Sequence, residues 1–348
     1  MDYFVKIFDN YEFPFNAESL SGKTVFITGG TGFFGVWLLS LFQYFNQTHD
    51  VRVVVLSRNP ASFLMKFPKF KNCEWLVWVM GNVVNFNHEK ISCDYIIHGA
   101  TDTSSAAHKR HSDMLNTILA GTHNVLKLAI KNKVNKILLI SSGAVYGPQE
   151  SLLSGQDETD PRACNPLQVS STYGESKRCM ELLGAISHFE NDLNVSYARC
   201  FSFMGPGLPI NGHFAFGNFI GDALSGKPLI ITGDGEAIRS YLHAGELVIW
   251  LVNIMINGRN NEAYNLGSDK PISIKQLAAR IQNLVSPSSS IIIKCERSSS
   301  PTDYRVYVPN IKKIRELGCN IQIDLDQGIN DTFEYEQERR SLFNQRRQ

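Results

Sequence analysis

The segment KTVFITGGTGFFGVWLLSLF constrains this chain more than any other, because Gly29, Gly32 and Gly35 recur at three-residue spacing between a buried-strand pattern and an apolar helix pattern. Glycine there lets the backbone take dihedrals closed to other residues, approach a pyrophosphate closely and seat the helix tightly on the strand. The helix then begins with free N–H groups and a partial positive charge, which suits phosphate oxygens. A strand, a glycine turn and a helix in that order predict a parallel sheet with a dinucleotide held at its C-terminal edge.

The rest of the chain continues the alternation. Thr24 to Thr28, Val51 to Leu56, Tyr95 to His98, Lys136 to Ile140 and Val195 to Arg199 read as short β-branched strands, while Val36 to Phe45, Leu115 to Ile130 and Ser176 to Phe189 carry helical periodicity. The fold class expected is α/β, a Rossmann-type doubly wound parallel sheet covered on both faces. After Arg199, glycine and proline punctuation (Gly205, Pro206, Gly207, Pro209, Gly212) marks a smaller mixed α/β lobe. Residues 22–200 with a return segment at about 238–266, where the helix Gly245 to Asn257 leads into a strand at Ala263 to Leu266, form the expected dinucleotide-binding domain. Residues 201–237 and 267–335 form the second lobe, 1–21 an aromatic-rich extension that caps the fold or a neighbouring subunit, and 336–348 a polar, fraying tail.

Composition removes several function classes. With 34 basic against 33 acidic side chains the net charge is +1, so no global field draws the protein to nucleic acid or to a membrane. Seven scattered cysteines include no C-x-x-C pair, which suits reduced thiols in the cytoplasm and argues against both a disulfide framework and a metal site. No stretch reaches ~18 uninterrupted apolar residues, and the N-terminus has no signal-peptide pattern.

The second strand should end beside an adenosine ribose, where NAD enzymes usually present an acidic residue. Ser57 and Arg58 stand there instead. A guanidinium suits the 2′-phosphate of NADP, and a merely solvated arginine fits Arg58 equally well. Gly81-Asn82-Val83 and Gly99-Ala100-Thr101 follow the third and fourth strands, where adenine and the inner ribose are expected. Tyr173-Gly-Glu-Ser-Lys177 places a phenol and an ammonium one helical turn apart, downstream of the buried strand ILLISS. A neighbouring ammonium is expected to lower the phenol pKa towards the working pH, and Ser142 can hydrogen-bond the same oxygen. Such a pair can exchange a proton with a sugar hydroxyl while a nicotinamide exchanges the hydride.

With these pieces placed, the chain resembles the extended short-chain dehydrogenase/reductase family, in its nucleotide-sugar epimerase/dehydratase branch. The motifs TGGTGFFG, HGAT, SSGAVYG, NPLQVSSTYGESK, RCFSFMGP, GNFIGDAL, GDGEAIRSYLHAGEL, YNLGS and SPTDYRVYVPNIKKIRELG occur in the family's order across about residues 22 to 330. The resemblance implies NAD(P), with NAD favoured by family habit and NADP by Arg58, held by Gly29, Thr31, Gly32, Phe33, Phe34, Gly35, Ser57, Arg58, Asn82, Val83, Gly99, Ala100, Thr101, Tyr173 and Lys177. It implies Ser142, Tyr173 and Lys177 as catalytic residues. It also implies Ser202, Asn218, Phe219, Arg239 and Arg305 as contacts to a nucleotide-diphosphate sugar, the two arginines gripping the diphosphate, and a homodimer built on the helices around Leu115 to Ile130 and Met180 to Phe189.

Departures narrow the reaction. The two positions after the catalytic hydroxyl carry Asp-Glu in the 4,6-dehydratases of this family and Glu at the second in the decarboxylases, whereas this chain has Gly143 and Ala144. Dehydration and decarboxylation therefore rank below 4-epimerisation through a transient keto sugar, with NADPH-dependent reduction of a 4-keto nucleotide sugar as the alternative. A silent, cofactor-sensing protein on the same fold is the reading from another class. Ser202 replaces a common Asn, Met204 a frequent Tyr and Ile118 a common Asn. His213 and Cys200 are candidates for an additional acid or base, against the plainer reading that both are simply packed, and Glu158 reads as a loop residue.

Overall fold

Strand-forming residues whose two neighbours in the pleat are both apolar must be covered on both faces, and that condition shapes the protein. A computed structural model describes residues 2–101, 109–149, 155–210, 212, 214–295 and 305–345. The first half runs β1 (Thr24–Thr28), α1 (Phe33–Phe45), β2 (Arg52–Ser57), α2 (Pro60–Lys66), β3 (Leu76–Met80), β4 (Tyr95–His98), α3 (His111–Asn132), β5 (Lys136–Ser142), α4 (Thr172–Asn191) and β6 (Val195–Cys200). The second half continues with β7 (Phe203–Met204), α5 (Ala215–Leu224), β8 (Leu229–Ile231), β9 (Ile238–Arg239), β10 (Leu242–His243), α6 (Ala244–Asn257), β11 (Glu262–Leu266), β12 (Ile272–Ser273), α7 (Ile274–Val285), β13 (Ile291–Ile293), β14 (Val306–Tyr307), α8 (Lys312–Glu316) and α9 (Leu325–Gln345).

Seven strands form one sheet in the order β11-β6-β5-β4-β1-β2-β3, and every pairing in it is parallel. The order reverses between β1 and β4, which opens a crevice at their C-terminal ends. Val25, Ile27, Val53, Val55, Leu138 and Ile140 face α1 and α6, whereas the alternate residues Phe26, Val54, Leu56, Ile137 and Leu139 face α3 and α4. Each such side chain contributes about 1.5–3 kcal/mol on burial. Helix α6 is buried at every residue from Ala244 to Met255, which explains an apolar texture interrupted there only by Glu246 and Asn253, and β11 follows it to pair with β6 in the sheet.

The second lobe has its own core of Phe216, Phe219, Ile220, Leu277, Ala278, Ile281 and Ile329, drawn from α5, α7 and α9. Its small sheet joins β12, β9 and β14. The aromatic extension caps the fold: Phe4 and Phe8 are buried, with ring centroids 4.9 and 6.3 Å from that of Trp37.

The polar tail does not fray where composition suggested. Helix α9 runs through Gln337 to Gln345, because Gly328, Ile329, Thr332 and Glu336 form a narrow buried edge and the exposed Glu338 accepts a hydrogen bond from Tyr3 at 2.8 Å. Among the described residues no helix is long and apolar enough to cross a membrane, and no cluster of side chains suits a metal ion. All seven cysteines are free.

Candidate active site

The glycine turn ends β1 in the crevice. Gly29 has φ +78°, and a Cβ there would lie 2.6 Å from the Gly99 carbonyl oxygen, so the loops after β1 and β4 press backbone to backbone. A Cβ on Gly35 would stand 2.2 Å from the Gly30 carbonyl carbon, which fixes how closely α1 sits on the turn. Gly32 differs: a Cβ there would meet only the Gly29 oxygen, at 3.5 Å, so its outer side is open. No side chain caps α1 and no acidic residue lies in its first turn. Thr31 and Gly32 are exposed and Phe33 and Phe34 half-buried, leaving an uncapped helix terminus with an open cradle that fits a dinucleotide's phosphates.

Ser57 is buried and its hydroxyl accepts from the Asn59 N–H at 3.2 Å, while Arg58 beside it is exposed. Asn82 is exposed after β3 and Val83 packs beneath it. Gly99, Ala100 and Thr101 are half-buried at the end of β4. These residues line the C-terminal edges of β1 to β4.

A feature that motif reading missed holds this edge together. His98 is buried between Thr28 and Thr122, with Nδ1 2.8 Å from one hydroxyl and Nε2 3.1 Å from the other. Thr122 donates to the Ile118 carbonyl, so it accepts from Nε2–H; Thr28 accepts the Gly99 and Ala100 N–H groups and donates to Nδ1. Burial, with the Lys177 ammonium nearby, pushes the imidazole pKa down to about 3, so His98 is a neutral strut.

The catalytic candidates meet at the end of β5. Ser142 closes that strand, and its hydroxyl hydrogen-bonds the Tyr173 phenol, which lowers the phenol pKa somewhat. Burial outweighs that bond and pushes Tyr173 up to about 12, so the lowering expected from the ammonium is absent. The geometry supplies the reason: Lys177 Nζ lies 5.9 Å from the Tyr173 ring centroid and gives its protons to the Ile140 carbonyl at 2.7 Å and Thr101 Oγ1 at 3.2 Å. Burial lowers Lys177 itself to about 8. The phenol of the free protein is thus a proton donor near neutrality.

Two further residues brace this corner. Glu181, one turn beyond Lys177, accepts from the Ser141 hydroxyl and pairs with Arg199 at 2.7 Å, and Arg199 reaches the Tyr146 hydroxyl at 2.9 Å. Helix α4 is thereby tied to β5 and β6 directly behind Ser142. Cys200 is buried and its thiol is pushed up to about 12, which makes it a packed residue rather than an acid or base. Glu158 accepts the Asn265 N–H at 2.8 Å as a loop tie, Ile118 is core, and His213 lies outside the described residues.

The second lobe supplies the facing wall. Arg239 on β9 and Tyr307 on β14 are register partners and project from one side of the ribbon, and Arg305, just before β14, accepts the Ile238 N–H at its carbonyl. Arg239 is half-buried with Nη1 on the Ile238 carbonyl at 2.8 Å; Arg305 is exposed, 3.3 Å from Asp234. Asn218 is half-buried on α5, but the Phe219 side chain is 2% exposed and belongs to the lobe's core. An apolar residue on an amphipathic helix cannot be assigned to ligand or to core from sequence alone. Ser202 is half-buried, and its carbonyl accepts from Leu242 at 3.1 Å. Tyr307, which the motifs did not single out, brings its hydroxyl to 3.4 Å from Ser142 Oγ.

The fold agrees with the comparisons to known proteins. The model of the NAD dependent epimerase/dehydratase family matches residues 25–267. The chain is 30% identical to UDP-glucuronic acid decarboxylase 1 of Xenopus tropicalis over 319 residues, covering 90% of this chain and 72% of that one. Its fold is similar to that of UDP-glucose 4-epimerase of Thermotoga maritima solved with UDP-glucose, at a TM-score of 0.77 and 22% identity over 92% of this chain and 99% of the other. It is also similar to that of UDP-glucuronic acid 4-epimerase of Bacillus cereus in complex with UDP-glucuronic acid and NAD, at a TM-score of 0.78 and 20% identity over 90% and 99%.

Proposed function

Because the chain belongs to the NAD dependent epimerase/dehydratase family, we propose that it is a nucleotide-sugar 4-epimerase working through a transient keto sugar. The observation that carries the proposal is the hydrogen-bonded pair Ser142 and Tyr173 beside Lys177, followed by Gly143 and Ala144 where dehydration or decarboxylation would call for a carboxylate. When bound, NAD supplies the hydride acceptor and a positive ring charge. Gly29, Thr31, Gly32, Phe33, Phe34 and Gly35 hold its phosphates, and Ser57, Arg58, Asn82, Val83, Gly99, Ala100 and Thr101 hold its nucleoside parts. Tyr173 exchanges the proton of the sugar 4-hydroxyl, Ser142 orients that oxygen, and Lys177 keeps a cation behind the phenol. Arg239 and Arg305 neutralise the diphosphate from the second lobe, with Asn218, the backbone at Phe219 and Ser202 along the nucleotide.

In this reading residues 22–200 with 238–266 are the cofactor domain and 201–237 with 267–335 the substrate lobe, extended by α9. The exposed apolar side chains Leu115 and Ile130 on α3 and Leu182, Ile186 and Phe189 on α4 form the face of a homodimer. The proton-donating state of Tyr173 and the Ser57-Arg58 pair favour a second reading, NADPH-dependent reduction of a 4-keto nucleotide sugar. Incubation with NAD and UDP-glucose or dTDP-glucose separates the two. Formation of the C4 epimer without net change in nicotinamide absorbance supports the epimerase; stoichiometric loss of NADPH with a 4-keto sugar nucleotide overturns it.

A further inference from the structure

Tyr307 stands where the two lobes meet. Its hydroxyl is 3.4 Å from Ser142 Oγ and donates to the Cys200 carbonyl at 3.4 Å, and its ring lies against Phe201 with centroids 4.7 Å apart. A Cβ on Gly143 would come within 2.8 Å of both the Tyr307 oxygen and the Phe201 ring, so the space beside the catalytic hydroxyl is filled from the second lobe. Gly143 and Tyr307 are therefore a matched pair.

We infer that Tyr307 is a third hydroxyl of the reacting site and that it selects a neutral sugar over one bearing a carboxylate. In extended backbone, residues two apart are separated by at most roughly 6–7 Å, and Arg305 lies two residues before Tyr307 at the entrance to β14. With Arg305 at a diphosphate, Tyr307 therefore falls at the sugar ring, beside the Ser142 hydroxyl it already approaches. A phenol is a neutral donor and acceptor and suits a sugar hydroxyl. A buried carboxylate needs a cation or several donors, and this wall offers one phenol, Gly143, Ala144 and an aromatic ring. Among the described residues Lys177 donates to Ile140 and Thr101 and Arg199 pairs with Glu181, while Arg239, the register partner of Tyr307, donates to the Ile238 carbonyl and is assigned above to the diphosphate. The inference rests on the nucleotide-sugar reading above and separates this chain from relatives named for glucuronic acid.

Isothermal titration of the NAD-saturated protein tests it with UDP, dTDP, their glucose conjugates and UDP-glucuronic acid, on wild type, Tyr307→Phe and Tyr307→Arg. The better-bound diphosphate should bind wild type and Tyr307→Phe alike, which also certifies the fold. Its glucose conjugate should lose about tenfold in Tyr307→Phe. UDP-glucuronic acid should bind wild type at least about tenfold more weakly than UDP-glucose, and Tyr307→Arg should narrow or reverse that ratio. An unchanged conjugate-to-diphosphate ratio in Tyr307→Phe, or a wild-type preference for the glucuronic acid conjugate, overturns the assignment of Tyr307. Failure of both diphosphates and their conjugates to bind overturns the nucleotide-sugar reading instead.

Discussion

Two alanine substitutions in the same turn should fail in different ways. At Gly35 the new methyl would start 2.2 Å from the Gly30 carbonyl carbon, and ordinary contact begins at 3.4 Å, so α1 must back away by roughly 1 Å. Overpacking of this kind costs about 1–3 kcal/mol, and the same displacement withdraws the helix N–H groups from the phosphates. At Gly32 the methyl meets one carbonyl oxygen at 3.5 Å and points otherwise into open space, so the folded protein should lose no more than about 1 kcal/mol of stability. The cost should appear only with ligand. Displacing one charge-assisted N–H bond to phosphate removes about 1.5–3 kcal/mol, a ten- to hundredfold rise in the NAD dissociation constant. Thermal unfolding with and without NAD, together with calorimetric titration, reads both quantities on both variants. Wild-type affinity for NAD in Gly32→Ala would refute the placement of the phosphates on this helix.

Tyr173→Phe should lower turnover about 10²- to 10⁴-fold while changing NAD affinity far less, measured by steady-state kinetics and titration. Retained turnover would refute Tyr173 as the group that exchanges the proton. Glu181→Leu removes one partner of a mostly buried ion pair and should cost about 3–5 kcal/mol by denaturant unfolding, part of it recovered in the double variant with Arg199→Leu. Burial raises Glu246 from 4.5 to about 7, so the fold prefers its protonated form. Its contribution is complete below about pH 4.5 and fades as pH climbs through about 7. Glu246→Gln should flatten that part of the stability-versus-pH curve, and an unaltered slope would show that another group sets it.

What could be read in the sequence was local. The glycine turn, the strand triplets and the YGESK turn declare themselves because dihedral limits, alternation and i,i+4 spacing act over a few residues. Ser142 and Tyr173 were findable for the same reason, one ending a strand and the other opening a helix. Tyr307 was not, because its position depends on β14 choosing β9 as partner in one register, a pairing between residues far apart in the chain. His98 looked like an ordinary strand residue until Thr28 and Thr122 enclosed it. The phenol pKa was misjudged because spacing fixes which side chains are neighbours but not where an ammonium spends its protons; Ile140 and Thr101 take them. Helix α9 escaped notice since its buried edge is a single narrow row on an otherwise charged surface.

The clasp between the chain's opening and closing segments has a consequence for how the molecule opens. Tyr11 donates to the Asn320 carbonyl at 3.3 Å and to Glu246 at 3.4 Å, Gln322 exchanges hydrogen bonds with Glu12, and Tyr3 reaches Glu338. Peeling the opening segment away uncovers aromatic surface on Trp37, and peeling either segment strips ties from the other. Amide exchange along residues 3–12 and 320–338 should therefore report one shared opening event rather than two frayed ends, so that the outermost stretches of sequence act as a single cooperative latch across both lobes.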